Sequence, residues 1–149
     1  MNQPFEASIT KATNNHRQEL TRLLQTAKLP AADLPASLDN FFVVTDKGNL
    51  VAAVGLEFYA DCGLLRSMVV AEAYRNNHIA SQLLLQSEAF AKTSGIDCLY
   101  LFTETAAVFF ESKGFQKITR AEVPKALQAS SEFSHVCPVS ATVMKKPLL

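Results

Sequence analysis

No apolar run in this sequence approaches the roughly 20 residues that a bilayer-spanning helix requires. Runs such as Leu64-Leu65 and Met68-Val69-Val70 are separated by Arg66 and Ser67. The expectation is a protein with no membrane segment. An excess of one charge is lacking too: Lys plus Arg and Asp plus Glu number 14 each, so no net field draws the chain toward nucleic acid or anionic lipid. Cysteine is scarce and scattered. Cys62, Cys98 and Cys137 are an odd number at wide separations, without the short spacings of zinc or redox motifs, which predicts neither a disulfide framework nor a bound metal. Cys137, ahead of Pro138, is either a reactive thiol or a buried structural cysteine, and the second is the reading taken. Met1-Asn2-Gln3-Pro4-Phe5-Glu6 has neither the basic nor the apolar region of a signal peptide, so a cytoplasmic address is expected. What the chain does have is 149 residues, 48% apolar and 19% charged. That is enough to build one core, and it predicts a single domain over 1–149.

The hydrophobic period then orders the elements. Ala7 to Ala12 predicts a first strand, and Asn14 or Asn15 caps a helix carrying Leu20, Leu23, Leu24 and Ala27 that ends by Pro30. Ala31 to Asn40, with Asp33, Pro35, Ser37 and Asp39, reads as a loop or a broken short helix. Phe41 to Thr45, a turn at Asp46-Lys47-Gly48-Asn49, and Leu50 to Tyr59 predict an antiparallel hairpin. A turn at Ala60-Asp61-Cys62-Gly63 and a strand from Leu64 to Val70 extend it into a meander. Ile79, Leu83, Leu84 and Phe90 then recur at helical spacing until Gly95. Cys98 to Thr103 is extended, Ala106 to Lys113 helical, Phe115 to Thr119 extended, and Ala141 to Lys146 a last strand. The order predicts an α/β (α+β) fold with a parallel or splayed pair of strands behind an antiparallel sheet.

The stretch from Met68 to Leu84 carries the most chemistry. A strand passes into a helix through Arg75-Asn76-Asn77-His78, and the first N–H groups of a helix lack intrahelical partners and carry the positive end of its dipole. Such a start can hold an anion of phosphate shape. It also fits an ordinary strand-to-helix turn that binds nothing.

Arg75-Asn76-Asn77-His78-Ile79-Ala80 resembles the signature of the GNAT acyl-CoA N-acyltransferases: Arg or Gln, two variable residues, Gly, one variable residue, then Gly or Ala. It matches at Arg75 and Ala80 and departs at His78, where the family usually has glycine. His78 implies either an ordinary helical backbone with the ring turned outward or a weakened cofactor site, and the first is the expectation. Leu99 to Thr103 followed by Ala106 to Phe115 is similar to the family's fifth strand, fourth helix and Gly-Phe closure. The resemblance implies a mixed, mostly antiparallel sheet flanked by helices, with strands four and five splayed around the cofactor. It also implies acetyl-CoA as cosubstrate. Its pyrophosphate would lie on Arg75, Asn76, Asn77, His78, Ile79, Ala80 and Ser81, and its pantetheine arm along Met68, Val69 and Val70. Gly63 to Ser67 together with Ser131 to Pro138 is similar to the arsenic-resistance N-acetyltransferase branch, implying an amino-acid analogue or arsenical as acceptor. No nucleic acid or membrane partner is implied, and a homodimer is left open.

Within that frame Glu57 is the candidate base, with an edge-strand carboxylate facing water as the alternative. Arg66, expected on the face of Leu64, Met68 and Val70, either meets a carboxylate inside the sheet or binds the carboxylate of an amino-acid-like substrate; the second is the reading taken. Phe110 stands where many members have a tyrosine acid, and Thr103 where an asparagine is common. Both are assigned to the acceptor site. Tyr74 and Tyr100 are weaker candidates for the missing acid, Glu104 and His135 for the site's rim, and His16 for no chemistry. A non-catalytic acyl-CoA-binding module and a protein-interaction domain are the competing functions.

Overall fold

A two-residue turn sets the first hairpin. Lys47 and Gly48 both have left-handed backbones, φ 53° and 82°, the pairing a type I′ turn requires. In the computed structural model, which describes residues 8–130 and 141–148, β2 (Phe41–Asp46) and β3 (Asn49–Tyr59) therefore pair from Asp46↔Asn49 onward. Asp46 and Asn49 are the first rung of the ladder, not turn residues. β1 (Ile9–Lys11) runs antiparallel to β2, Ile9 facing Val44. A three-residue 3₁₀ turn (Asn14–His16) leads into α1 (Arg17–Thr26). Its start is tied by His16, whose Nδ1 accepts the Thr13 N–H at 3.0 Å, so the expected asparagine cap gives way to a histidine.

Beyond a turn at Ala60 (φ 57°) and Asp61 lies β4 (Cys62–Val70), which takes in Cys62 and Gly63 as strand residues. A 3₁₀ turn (Glu72–Tyr74) and a loop join it to α2 (Ile79–Thr93). β5 (Cys98–Thr103), α3 (Ala107–Ser112), β6 (Gln116–Ile118), α4 (Lys125–Gln128) and β7 (Thr142–Pro147) complete the described elements. The sheet has the order β1-β2-β3-β4-β5-β7-β6. Its parallel pair, β4 with β5, runs from Cys62↔Cys98 to Leu64↔Tyr100; β7 is antiparallel to both β5 and β6.

Two packing units divide the chain: the described part of Met1–Leu56 with Ser67–Ser87, and Glu57–Arg66 with the described part of Glu88–Leu149. In the first, Leu20 and Leu24, one helical turn apart, pack with Leu38, Phe41, Val43, Ala53 and Val69. A Cβ added at Gly55 would come within 2.3–2.6 Å of the fully buried Phe41 ring. Gly55→Ala should therefore cost about 1–3 kcal/mol, read as a fall in Tm; an unchanged Tm would mean the ring is not held there. In the second unit Cys62, Leu64, Tyr100, Val123, Leu127 and Val143 form the core. Lys146 donates to both Glu88 oxygens at 3.0 Å and to the Lys113 carbonyl at 2.8 Å, setting a cation at the C-terminus of α3, where the helix dipole favours one.

Candidate active site

A bulge interrupts β4 just before the residues expected to meet the cofactor. Arg66 reaches Glu57, whereas Val69, three positions on, belongs to the cluster of Leu20, Phe41 and Ala53. Glu57 and Ala53 are an even number of residues apart along β3 and share a face, which an uninterrupted β4 would not allow for Arg66 and Val69. Ser67, at φ 57°, is the extra residue that resets the alternation. Arg66 thus shares its face with Leu64 but not with Met68 and Val70, correcting the simple period-2 expectation. A left-handed backbone costs a residue with a Cβ about 1–2 kcal/mol, and such strain concentrates where a site requires it.

The following loop repeats the pattern. Asn76 and His78 have φ 69° and 60°. His78 therefore does not adopt the ordinary helical backbone expected of it; it keeps the left-handed conformation that glycine adopts without cost, with its side chain exposed. His78→Gly should then stabilise the protein by about 1 kcal/mol, raising Tm by about 2–4 °C; a Tm at or below the parent's would contradict this strained backbone.

The loop is held by its own polar groups. Asn77 Nδ2 donates to the carbonyls of Tyr74 at 3.1 Å and Arg75 at 3.3 Å, Arg75 Nε donates to the Val70 carbonyl at 3.1 Å, and the Tyr74 hydroxyl donates to Asp46 Oδ2 at 2.6 Å. The Gln82 N–H reaches the His78 carbonyl at 3.1 Å, making His78 the cap of α2. Helix geometry leaves the N–H groups of Ile79, Ala80 and Ser81 without intrahelical carbonyls. Ile79 is buried and anchors the helix start. No acidic residue lies in the first turn, and Arg75 adds a cation. These residues fit a diphosphate.

Glu57, Arg66 and Tyr59 form one hydrogen-bonded group. Arg66 Nη1 lies 2.5 Å from Glu57 Oε2, and the Tyr59 hydroxyl donates to Glu57 Oε1. The Arg66 side chain is 0% exposed and that of Glu57 21%. The carboxylate inside the sheet, the reading passed over for Arg66, is what the structure places beside it. The approachable atoms belong to Glu57. Tyr59 was not singled out from the sequence, although Glu57 and Tyr59, two apart on a strand, must share a face.

The remaining candidates have structural surroundings. Thr103 Oγ1 accepts the Ala106 N–H at 2.9 Å, holding the chain just ahead of α3. Phe110 is buried, its ring edge-on to Phe109 and Phe115 at 5.1 and 5.5 Å. Burial, then the neighbouring Cys98, pushes the Tyr100 hydroxyl up to about 12, and the hydrogen bond to Asp46 raises that of Tyr74; neither is a ready proton donor at neutral pH. Burial likewise raises the Cys62 and Cys98 thiols, which matches inert rather than nucleophilic cysteines. Glu104 is exposed beyond β5. His135 and Cys137 lie outside the described residues.

The sequence model of the GNAT acetyltransferase domain matches residues 37–117. An amino-acid acetyltransferase of Ectopseudomonas mendocina is 30% identical over 95 residues, 62% of this chain and 22% of that protein, so the match spans under a quarter of that relative. Among solved structures, N-acetylglutamate synthase of Neisseria gonorrhoeae, complexed with coenzyme A and N-acetyl-glutamate, superposes with a TM-score of 0.81 at 19% identity, covering 99% of this chain and 36% of that one. A GNAT-family acetyltransferase of Staphylococcus aureus superposes at 0.78 with 22% identity, covering 97% and 100%. At these identities the superpositions speak for the fold. None of these relatives carries an arsenic-resistance name, and Ser131 to Pro138, half of that narrower likeness, lie outside the described residues. With a family match over more than half its length and the mixed sheet and loop that the match implies, the chain belongs to the GNAT acetyltransferase family.

Proposed function

We propose that this chain works as one domain that transfers an acetyl group from acetyl-CoA to the amino group of a small, amino-acid-like acceptor. The observation that carries the reading is the loop Arg75–His78, which keeps a left-handed backbone at Asn76 and His78 and opens onto the unpaired amides of Ile79, Ala80 and Ser81. These amides, with Arg75, Asn76 and Asn77, would hold the diphosphate of coenzyme A, while Met68, Val69 and Val70 would line its pantetheine arm. When bound, acetyl-CoA supplies an acetyl thioester open to direct attack by an amine. Glu57 accepts the proton that the acceptor ammonium must lose, directly or through a water, and Arg66 holds that carboxylate in place. No side chain becomes acylated.

An amino acid as acceptor is supported by what the relatives are named for: amino-acid acetyltransferase in one, N-acetyl-glutamate bound in another. The narrower class of arsinic or phosphinic amino-acid analogues rests on the sequence likeness alone. Calorimetric titration with acetyl-CoA tests the cofactor site. The parent should bind saturably, and Ser81→Glu, which sets a negative charge in the first turn of α2, should weaken binding at least about tenfold. Zero heat at several temperatures, or equal affinity in the variant, would overturn the assignment. Phe110, buried and without a proton to give, favours a second reading as an acyl-CoA-binding module; saturable binding without thiol release across a screen of amines, including both analogue classes, would decide for it.

A further inference from the structure

We infer that Tyr59 is a positioning residue for acyl transfer, fixing the Glu57 carboxylate in the orientation that receives the acceptor's proton. The inference rests on the proposed role of Glu57.

Glu57 and Tyr59 occupy alternate positions near the end of β3 and so project from one face. The Tyr59 hydroxyl donates to Oε1 while Arg66 Nη1, from β4, holds Oε2 at 2.5 Å, so each carboxylate oxygen has one donor fixed and keeps a lone pair to offer. Tyr59 is itself held: its carbonyl accepts the Cys62 Sγ at 3.1 Å, and its side chain packs against the cluster of Cys62, Leu64 and Tyr100.

A glutamate side chain with a fifth of its surface in water would otherwise sample several rotamers, and immobilising it costs entropy that these two donors offset. Orientation matters because a general base must lie within about 2.6–3.2 Å of the proton it takes, and small misplacements cost about 100-fold in rate. Arg66 has no exposed side-chain surface and cannot make that contact itself. Tyr59 supplies what neither neighbour can, the second point that stops the carboxylate from turning about its bond to Arg66.

Tyr59→Phe keeps the ring and removes only the hydroxyl. It should lower kcat about 10–100-fold with little change in Tm, in affinity for acetyl-CoA or in KM for it. In a Glu57→Gln background the same substitution should produce no further loss, because the group it positions is gone. In the unliganded protein the Glu57 ¹³Cδ resonance should move on Tyr59→Phe, a readout independent of turnover. Full kcat in Tyr59→Phe, an unmoved Glu57 resonance, or a loss that adds in full to that of Glu57→Gln would each overturn the inference. Full activity of Glu57→Gln would instead overturn the base assignment beneath it.

Discussion

Glu57→Gln should lower kcat by about 10²–10³-fold at pH 7 while leaving affinity for acetyl-CoA unchanged, the scale expected when a general base loses its capacity to accept a proton. The amide keeps the shape of the carboxylate but puts a donor in place of one accepting oxygen, and it gives an incoming ammonium nowhere to leave its proton. The deficit should shrink as the pH is raised past the acceptor amine's own pKa, where the amine is already neutral. A pH–rate comparison of parent and variant with a single amine checks both statements. Equal activity at pH 7 would show that the acceptor arrives deprotonated or loses its proton elsewhere.

Arg66→Ala should be the most destabilising single change at the site. The guanidinium is fully buried and 2.5 Å from Glu57. Removing one member of such a pair leaves a carboxylate with its partner gone, at a cost of about 3–5 kcal/mol for fully buried pairs. Because Glu57 keeps 21% of its side-chain surface in water, the lower end applies: about 3 kcal/mol, or a Tm lower by about 6–12 °C. Removing both partners should hurt less than the sum of the two single changes, since no charge is then stranded. Thermal melts of Arg66→Ala, Glu57→Ala and the double variant measure this coupling. A Tm for Arg66→Ala within a degree or two of the parent's would mean the ion pair contributes nothing to the fold. This differs from the sequence expectation, which was an arginine that binds the carboxylate of an amino-acid-like substrate.

That difference shows what a linear sequence conveys and what it leaves out. The hairpin, the helix from Ile79 and the strand from Cys98 were legible because each is fixed locally, by a two-residue turn or a regular apolar period. The place of the Arg75 loop between strand and helix was legible because the apolar period changes there. Arg66 was ambiguous because its partner lies nine residues away on a neighbouring strand, and only pairing between strands brings the two together. The bulge at Ser67 has no signature in residue type: serine is neither glycine nor asparagine, yet it adopts the backbone those residues favour. His78 misled for the same reason. Its ring suggested an ordinary helical backbone, whereas capping and loop closure impose the left-handed one and the fold absorbs the strain. The insertion of β7 between β5 and β6 was invisible because no local pattern encodes which strand fills a gap in a sheet. Tyr59, by contrast, could have been found from alternation alone.

On the proposed reading, an acetyl group passes from coenzyme A, held by the Arg75 loop, to a free amine whose proton Glu57 accepts. It is tested most directly by incubating the chain with acetyl-CoA and a panel of amino acids while measuring thiol release and acetylated product together. One N-acetylated amine should form for every thiol released, with both signals suppressed in Glu57→Gln at neutral pH. Saturable acetyl-CoA binding with no product from any amine, or product formed equally well by Glu57→Gln, would contradict it.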